Sequence, residues 1–115
     1  MISAIKKPFI DTFLKEARKY NIIDGVVLFG SVITEKCCEE SDVDLIVVSK
    51  AKNSDELYAC LDKVLTRCLD VQMTDFDCLQ LNSFDELFKP VDFFTLGLWE
   101  TGAYFIAYDR NGVYV

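Results

Sequence analysis

Two short patterns constrain this chain more than anything else in it: Leu28-Phe29-Gly30-Ser31, and Ser41-Asp42-Val43-Asp44-Leu45-Ile46-Val47-Val48. A Gly-Ser pair leaves one apolar run, and two aspartates one residue apart open the next. Glycine lets the backbone approach a phosphate closely because it has no Cβ. Serine adds a hydroxyl and a backbone N–H at a predicted helix start, where anions are favoured. Alternation along an extended strand puts Asp42 and Asp44 on one face and Val43 on the other. Two neighbouring carboxylates suit Mg²⁺, which takes oxygen ligands and usually shares them with substrate phosphates. Together the patterns predict strand, turn, short helix and strand around a metal–nucleotide site.

The rest of the chain supplies an α/β setting. Ile5, Phe9, Phe13, Ala17 and Tyr20 recur at helical spacing, with Pro8 tolerated in the first turn and Asn21 at the end. Gly25 to Phe29 reads as a buried strand, Ser31 to Cys37 as a short helix, and Asp42 to Val48 as the second strand. Asn53-x-x-Glu56 has the form of a capping box. It opens a helix with Leu57, Leu61, Val64, Leu65 and Cys68 on one face, and Leu69 to Thr74 follows as the third strand. Ser83-x-x-Glu86 opens another helical segment, which Pro90 kinks before it resumes through Trp99. Tyr104 to Tyr108 and Val113 to Val115, joined through Asn111-Gly112, read as a C-terminal β-hairpin. The aromatic 93–108 region, with Phe93, Phe94, Leu96, Leu98, Trp99, Tyr104 and Phe105, supplies core and a candidate surface for a dimer or partner. This order predicts one domain, residues 1–115, of α/β (α+β) class with a mixed sheet.

Composition excludes several functions. With 51% hydrophobic and 27% charged residues the chain is that of a folded domain. A formal net charge of −7 disfavours a polyanionic partner, because nucleic-acid binding relies on Lys and Arg neutralising phosphates. No apolar run approaches the roughly 20 residues of a membrane helix, and no signal peptide is recognisable. A cytoplasmic protein without nucleic acid or membrane as partner is expected. Cys37, Cys38, Cys60, Cys68 and Cys78 form no Cys-x-x-Cys pattern, and histidine is absent, so a structural zinc site is not expected. Cys37 and Cys38 lie in the loop between Gly-Ser and Asp-x-Asp.

The Gly30-Ser31 pair, the loop, and Asp42-x-Asp44 on the next strand resemble the nucleotidyltransferase fold of the DNA polymerase β superfamily. Spacing and length are similar to those of its small single-domain members, the minimal nucleotidyltransferases. The resemblance implies a third carboxylate on a later strand, assigned to Asp70 in Leu69-Asp70-Val71-Gln72-Met73. Asp75 and Asp77 lie nearby, Asp75 with strand parity opposite to Asp70. One departure stands out. Active relatives carry arginine after Gly-Ser, and this chain has Val32-Ile33-Thr34-Glu35, leaving Lys36 as the loop cation. Lysine is a point charge without arginine's bidentate fork.

By that resemblance Asp42, Asp44 and Asp70 hold two Mg²⁺ ions, one carried in on the nucleotide. Gly30, Ser31 and Lys36 bind the phosphates of a nucleoside triphosphate, expected to be ATP. Asp70 also helps deprotonate an acceptor hydroxyl, which attacks the α-phosphorus and expels pyrophosphate. Such two-metal chemistry stabilises both the entering and the leaving oxygen. Proteins of this kind resemble the antitoxin half of toxin–antitoxin pairs, whose partner is a helical HEPN-type toxin carrying the acceptor; a homo-oligomer is the other expected assembly. A second reading is a binding or regulatory module that keeps the fold without catalysis. A third is a small-molecule transferase of the aminoglycoside-modifying kind, which normally needs an extra acceptor domain.

Overall fold

Alternation in the two central strands decides which side of the sheet each helix covers. A computed structural model describes residues 2–51, 55–69, 76–88, 97–98 and 101–114. In chain order the elements are α1 (Lys7–Ala17), β1 (Gly25–Phe29), a 3₁₀ turn (Gly30–Ile33), β2 (Val43–Val48), α2 (Asp55–Leu69), β3 (Phe76–Leu81), α3 (Asp85–Phe88) and β4 (Tyr104–Asp109). The four strands form one mixed sheet in the order β3-β2-β1-β4. β2 and β3 run parallel, joined through α2, and the other two pairings are antiparallel.

Val26, Leu28, Val43, Leu45 and Val47 point to one face, where Ile10, Phe13, Leu14 and Ala17 of α1 and Leu57 and Val64 of α2 meet them. Their neighbours Val27, Ile46 and Val48 point to the other face, under Phe84, Leu87 and Leu98. Burial on both faces is why the two strands read as near-continuous apolar runs. Each buried Val, Leu, Ile or Phe side chain contributes about 1.5–3 kcal/mol on leaving water. Gly25 has a packing reason to be glycine, because a Cβ there would stand 2.2 Å from Cζ of Phe84.

Four expectations change. The segment after Ser31 is a single 3₁₀ turn closed by the Thr34 amide and hydroxyl on the Ser31 carbonyl, both at 2.9 Å. The β-branched run Val32-Ile33-Thr34 is a poor α-helix former. β2 begins at Val43, so Asp42 precedes the strand. α2 continues through Leu69, four residues on from Leu65 and so still at helical spacing, and the strand found beside β2 is Phe76–Leu81. Residues 70–74 of the expected third strand lie outside the described residues. Finally, β4 pairs with β1, and among the described residues no strand returns after it. Asp109 captures the turn instead: its carboxylate accepts from the backbone N–H of Asn111 (3.0 Å), Val113 (2.7 Å) and Tyr114 (2.8 Å). Asn53, Pro90, Phe93, Phe94, Leu96 and Trp99 lie outside the described residues. No helix among those described is long and apolar enough to cross a membrane.

Candidate active site

Strand register lines up one row of residues across the sheet. Phe29 at the end of β1 pairs with Tyr104 at the start of β4 and with Asp44 near the start of β2. Asp44 pairs with Asp77, second residue of β3. Lateral partners share a face, so Tyr104, Phe29, Asp44 and Asp77 stand side by side on the Val27–Ile46 face. The two carboxylates are therefore adjacent by backbone pairing alone.

Gly30 follows directly and turns the chain over Asp44. Its φ is +75°, a conformation costly for residues with a Cβ. A Cβ at Gly30 would stand 2.4 Å from Oδ2 of Asp44. Two constraints thus require glycine here, one on the backbone itself and one from the carboxylate expected to ligate metal. Ser31 comes next, half-buried, and among the described residues no protein group takes up its hydroxyl. A four-residue 3₁₀ turn has too few aligned peptides for the helix-end field expected from the sequence. An anion here would be held by individual N–H groups and the Ser31 hydroxyl. Lys36 is exposed in the loop beyond, its amide bonded to the Thr34 hydroxyl at 3.1 Å.

The electrostatics follow from the geometry. Burial raises the Asp44 carboxyl above its ordinary value first, and the negative charge of Asp77 adds to this. A hydrogen bond in which protonated Asp44 donates to Asp77 also contributes, as does the charge of Asp42. Like charges on neighbouring carboxylates favour a shared proton or a cation. Asp42 is exposed at the end of the loop. In that loop Glu40 is held below the ordinary carboxylate value by its own backbone amide first, then by the Cys38 thiol and by the charge of Lys6.

Among the described residues no three carboxylates or thiols close into a ready-made ligand cluster. The arrangement is a carboxylate pair with Asp42 as an outlying charge. This donor set fits Mg²⁺, which takes one or two carboxylates and completes its shell with water and substrate phosphate.

Gly30, Ser31, Asp42 and Asp44 are gathered at one end of the sheet. Asp70 lies outside the described residues. The carboxylate found opposite Asp44 is Asp77, and a signal for it was present in the chain. Phe76-Asp77-Cys78-Leu79 repeats the apolar-Asp-apolar-apolar order of Val43-Asp44-Leu45-Ile46. In both strands aspartate is the second residue. The position after Gly30-Ser31 is occupied by Val32, which is fully buried in the core between sheet and helices.

Comparisons with known proteins bear on the family and the fold. Residues 12–90 match the family described as "Polymerase beta, Nucleotidyltransferase". No curated protein matches the chain. The crystal structure of a candidate nucleotidyltransferase from Sulfolobus solfataricus superposes with a TM-score of 0.50 at 15% identity, over 96% of this chain and 83% of that one. At that identity the likeness concerns the fold. The matched residues contain β1, the Gly30-Ser31 turn, β2 and β3, and with them both paired carboxylates: the chain belongs to the polymerase β nucleotidyltransferase family.

Proposed function

We propose that the chain transfers a nucleoside monophosphate from a Mg²⁺-bound nucleoside triphosphate, ATP by preference, to a hydroxyl acceptor. The observation that carries this reading is the Asp44–Asp77 pair lying against Gly30. It is a hard-oxygen donor set whose Asp44 carboxylate packs directly on a glycine backbone, next to the Ser31 hydroxyl, unengaged among the described residues. Asp44 and Asp77 would hold Mg²⁺ between them, with Asp42 completing the set from the loop. Bound Mg²⁺ supplies charge neutralisation at the phosphates and lowers the pKa of a coordinated hydroxyl. The chain's own groups do the rest. The Gly30 and Ser31 amides and the Ser31 hydroxyl orient the terminal phosphates. Lys36 adds a positive charge from the loop. Asp77, exposed at the start of an edge strand, is placed to accept the acceptor's proton. Asp70 remains an alternative for that role.

The acceptor is proposed to lie on a protein. A net charge of −7 favours a basic partner, and a helical toxin of HEPN type is the candidate. A second reading, nucleotide binding without transfer, has its own observation. Val32 is committed to the core and Glu35 is exposed nearby, so no arginine meets the triphosphate from this turn.

Calorimetric titration with ATP and GTP, with and without Mg²⁺, tests both. Wild type should bind only with Mg²⁺. Asp42→Ala/Asp44→Ala and Asp77→Ala should each lose at least tenfold in affinity. Transfer of label from α-³²P-ATP to a co-purified protein separates enzyme from binding module. Mg²⁺-independent binding, or binding untouched by these substitutions, would refute the site.

A further inference from the structure

Asp44 and Asp77 are held by the hydrogen-bond ladder of the sheet, whereas Asp42 precedes β2 and needs another anchor. The loop that carries it is built from two local turns. Thr34 closes the first on Ser31. The second is a reciprocal pair: the Ser41 amide donates to the Cys38 carbonyl and the Cys38 amide to the Ser41 hydroxyl, both at 3.0 Å. Local turns fix shape but leave open where the loop sits on the domain.

Lys6 supplies a tertiary bond. It stands at the N-cap of α1 without a side-chain capping bond, and its side chain is only 2% exposed. Nζ lies 5.6 Å from the Phe9 ring centroid and donates to the Glu39 carbonyl at 2.8 Å. That carbonyl lies inside the second turn, three residues before Asp42. The same N-terminal segment grips the first turn as well, the Ser3 amide donating to the Val32 carbonyl at 2.8 Å. Lysine is almost never this buried unless its charge is satisfied, and a methionine would fill the space at less desolvation cost. The ammonium therefore contributes direction, tying the chain's N-terminus to the loop of the candidate site.

We propose that Lys6 is a positioning residue: through the Glu39 carbonyl it sets where Asp42 stands relative to Asp44. The inference rests on the nucleotidyltransferase reading of that site. Lys6→Met keeps length and apolar volume and removes the donor. Its melting temperature should stay within a few degrees of wild type. Amide exchange at Cys38 and Ser41 should accelerate at least tenfold, and MgATP affinity should fall about tenfold. In an Asp42→Ala background the same substitution should change MgATP affinity less than twofold. Lys6→Gln, which keeps a donor, should retain most of the binding and stands in if Lys6→Met does not fold. Unchanged loop exchange, or wild-type MgATP affinity in Lys6→Met, overturns the positioning role alone. A wild-type chain that binds no MgATP overturns the functional reading and this inference with it.

Discussion

Replacing Gly30 by alanine separates the stability of the turn from the chemistry of the site. Two costs arise. The first is conformational: φ at Gly30 is +75°, and holding a residue with a Cβ there costs about 1–2 kcal/mol. For 115 residues the unfolding entropy is about 0.24 kcal/mol/K, so this corresponds to a fall in Tm of about 4–8 °C. The second is steric, since the new methyl would lie 2.4 Å from Oδ2 of Asp44. That atom ends a short side chain with two rotatable bonds, so Asp44 can swing away from its like-charged neighbour Asp77 at little cost to the fold. The cost falls on the site, which loses the paired geometry. Gly30→Ala should therefore melt about 4–8 °C lower and lose Mg²⁺-dependent ATP binding altogether. In an Asp44→Ala background the Tm loss should persist almost unchanged, because the conformational cost remains when the clash is gone. Differential scanning calorimetry and MgATP titration on the four proteins complete the cycle. A Gly30→Ala variant melting within 1 °C of wild type, or binding MgATP as wild type does, would refute the reasoning.

Asp44 gives a pH prediction with a definite sign. Its folded pKa is raised, by burial first and then by Asp77 and Asp42, so its contribution to stability is fully present below the ordinary value of 3.8 and lost as pH rises through the raised value. At pH 7 without metal, Asp44→Asn should melt above wild type; this advantage should fade on acidification toward pH 4, and millimolar Mg²⁺ should raise Tm in wild type alone. Gly25→Ala should cost about 1–3 kcal/mol by overpacking, since its methyl meets Phe84 Cζ at 2.2 Å and the Tyr108 carbonyl at 2.9 Å; adding Phe84→Leu should recover part of the lost Tm. Asp109→Ala releases three backbone donors and should cost about 1 kcal/mol, with faster amide exchange confined to Asn111, Val113 and Tyr114.

What was legible in this chain was whatever burial on two faces writes into local sequence. β1 and β2 are apolar on both sides and announce themselves as runs; α1 and α2 show helical spacing because a single stripe of each meets the sheet. The third strand was harder for a physical reason. Leu69 opens an alternating Leu-Asp-Val-Gln-Met run, yet it also continues the helical series through Leu61 and Leu65 and belongs to α2, because a short segment can satisfy both periods. Residues 70–73 lie outside the described residues. The hairpin reading failed differently. Asn111-Gly112 does turn the chain, but Asp109 takes the amides beyond it, and β4 finds its partner in β1, far away in sequence. Asp77 unites the two lessons. Its place in the site comes from the pairing of β3 with β2, and a slip of one residue in that register would turn Asp77 to the Cys78 side of the sheet, away from Asp44. Gly30, Ser31, Asp42 and Asp44 belong to one strand–turn–strand segment and could be found by spacing. A carboxylate delivered by a parallel neighbour across a helical crossover depends on register, and register is a property of the assembled sheet.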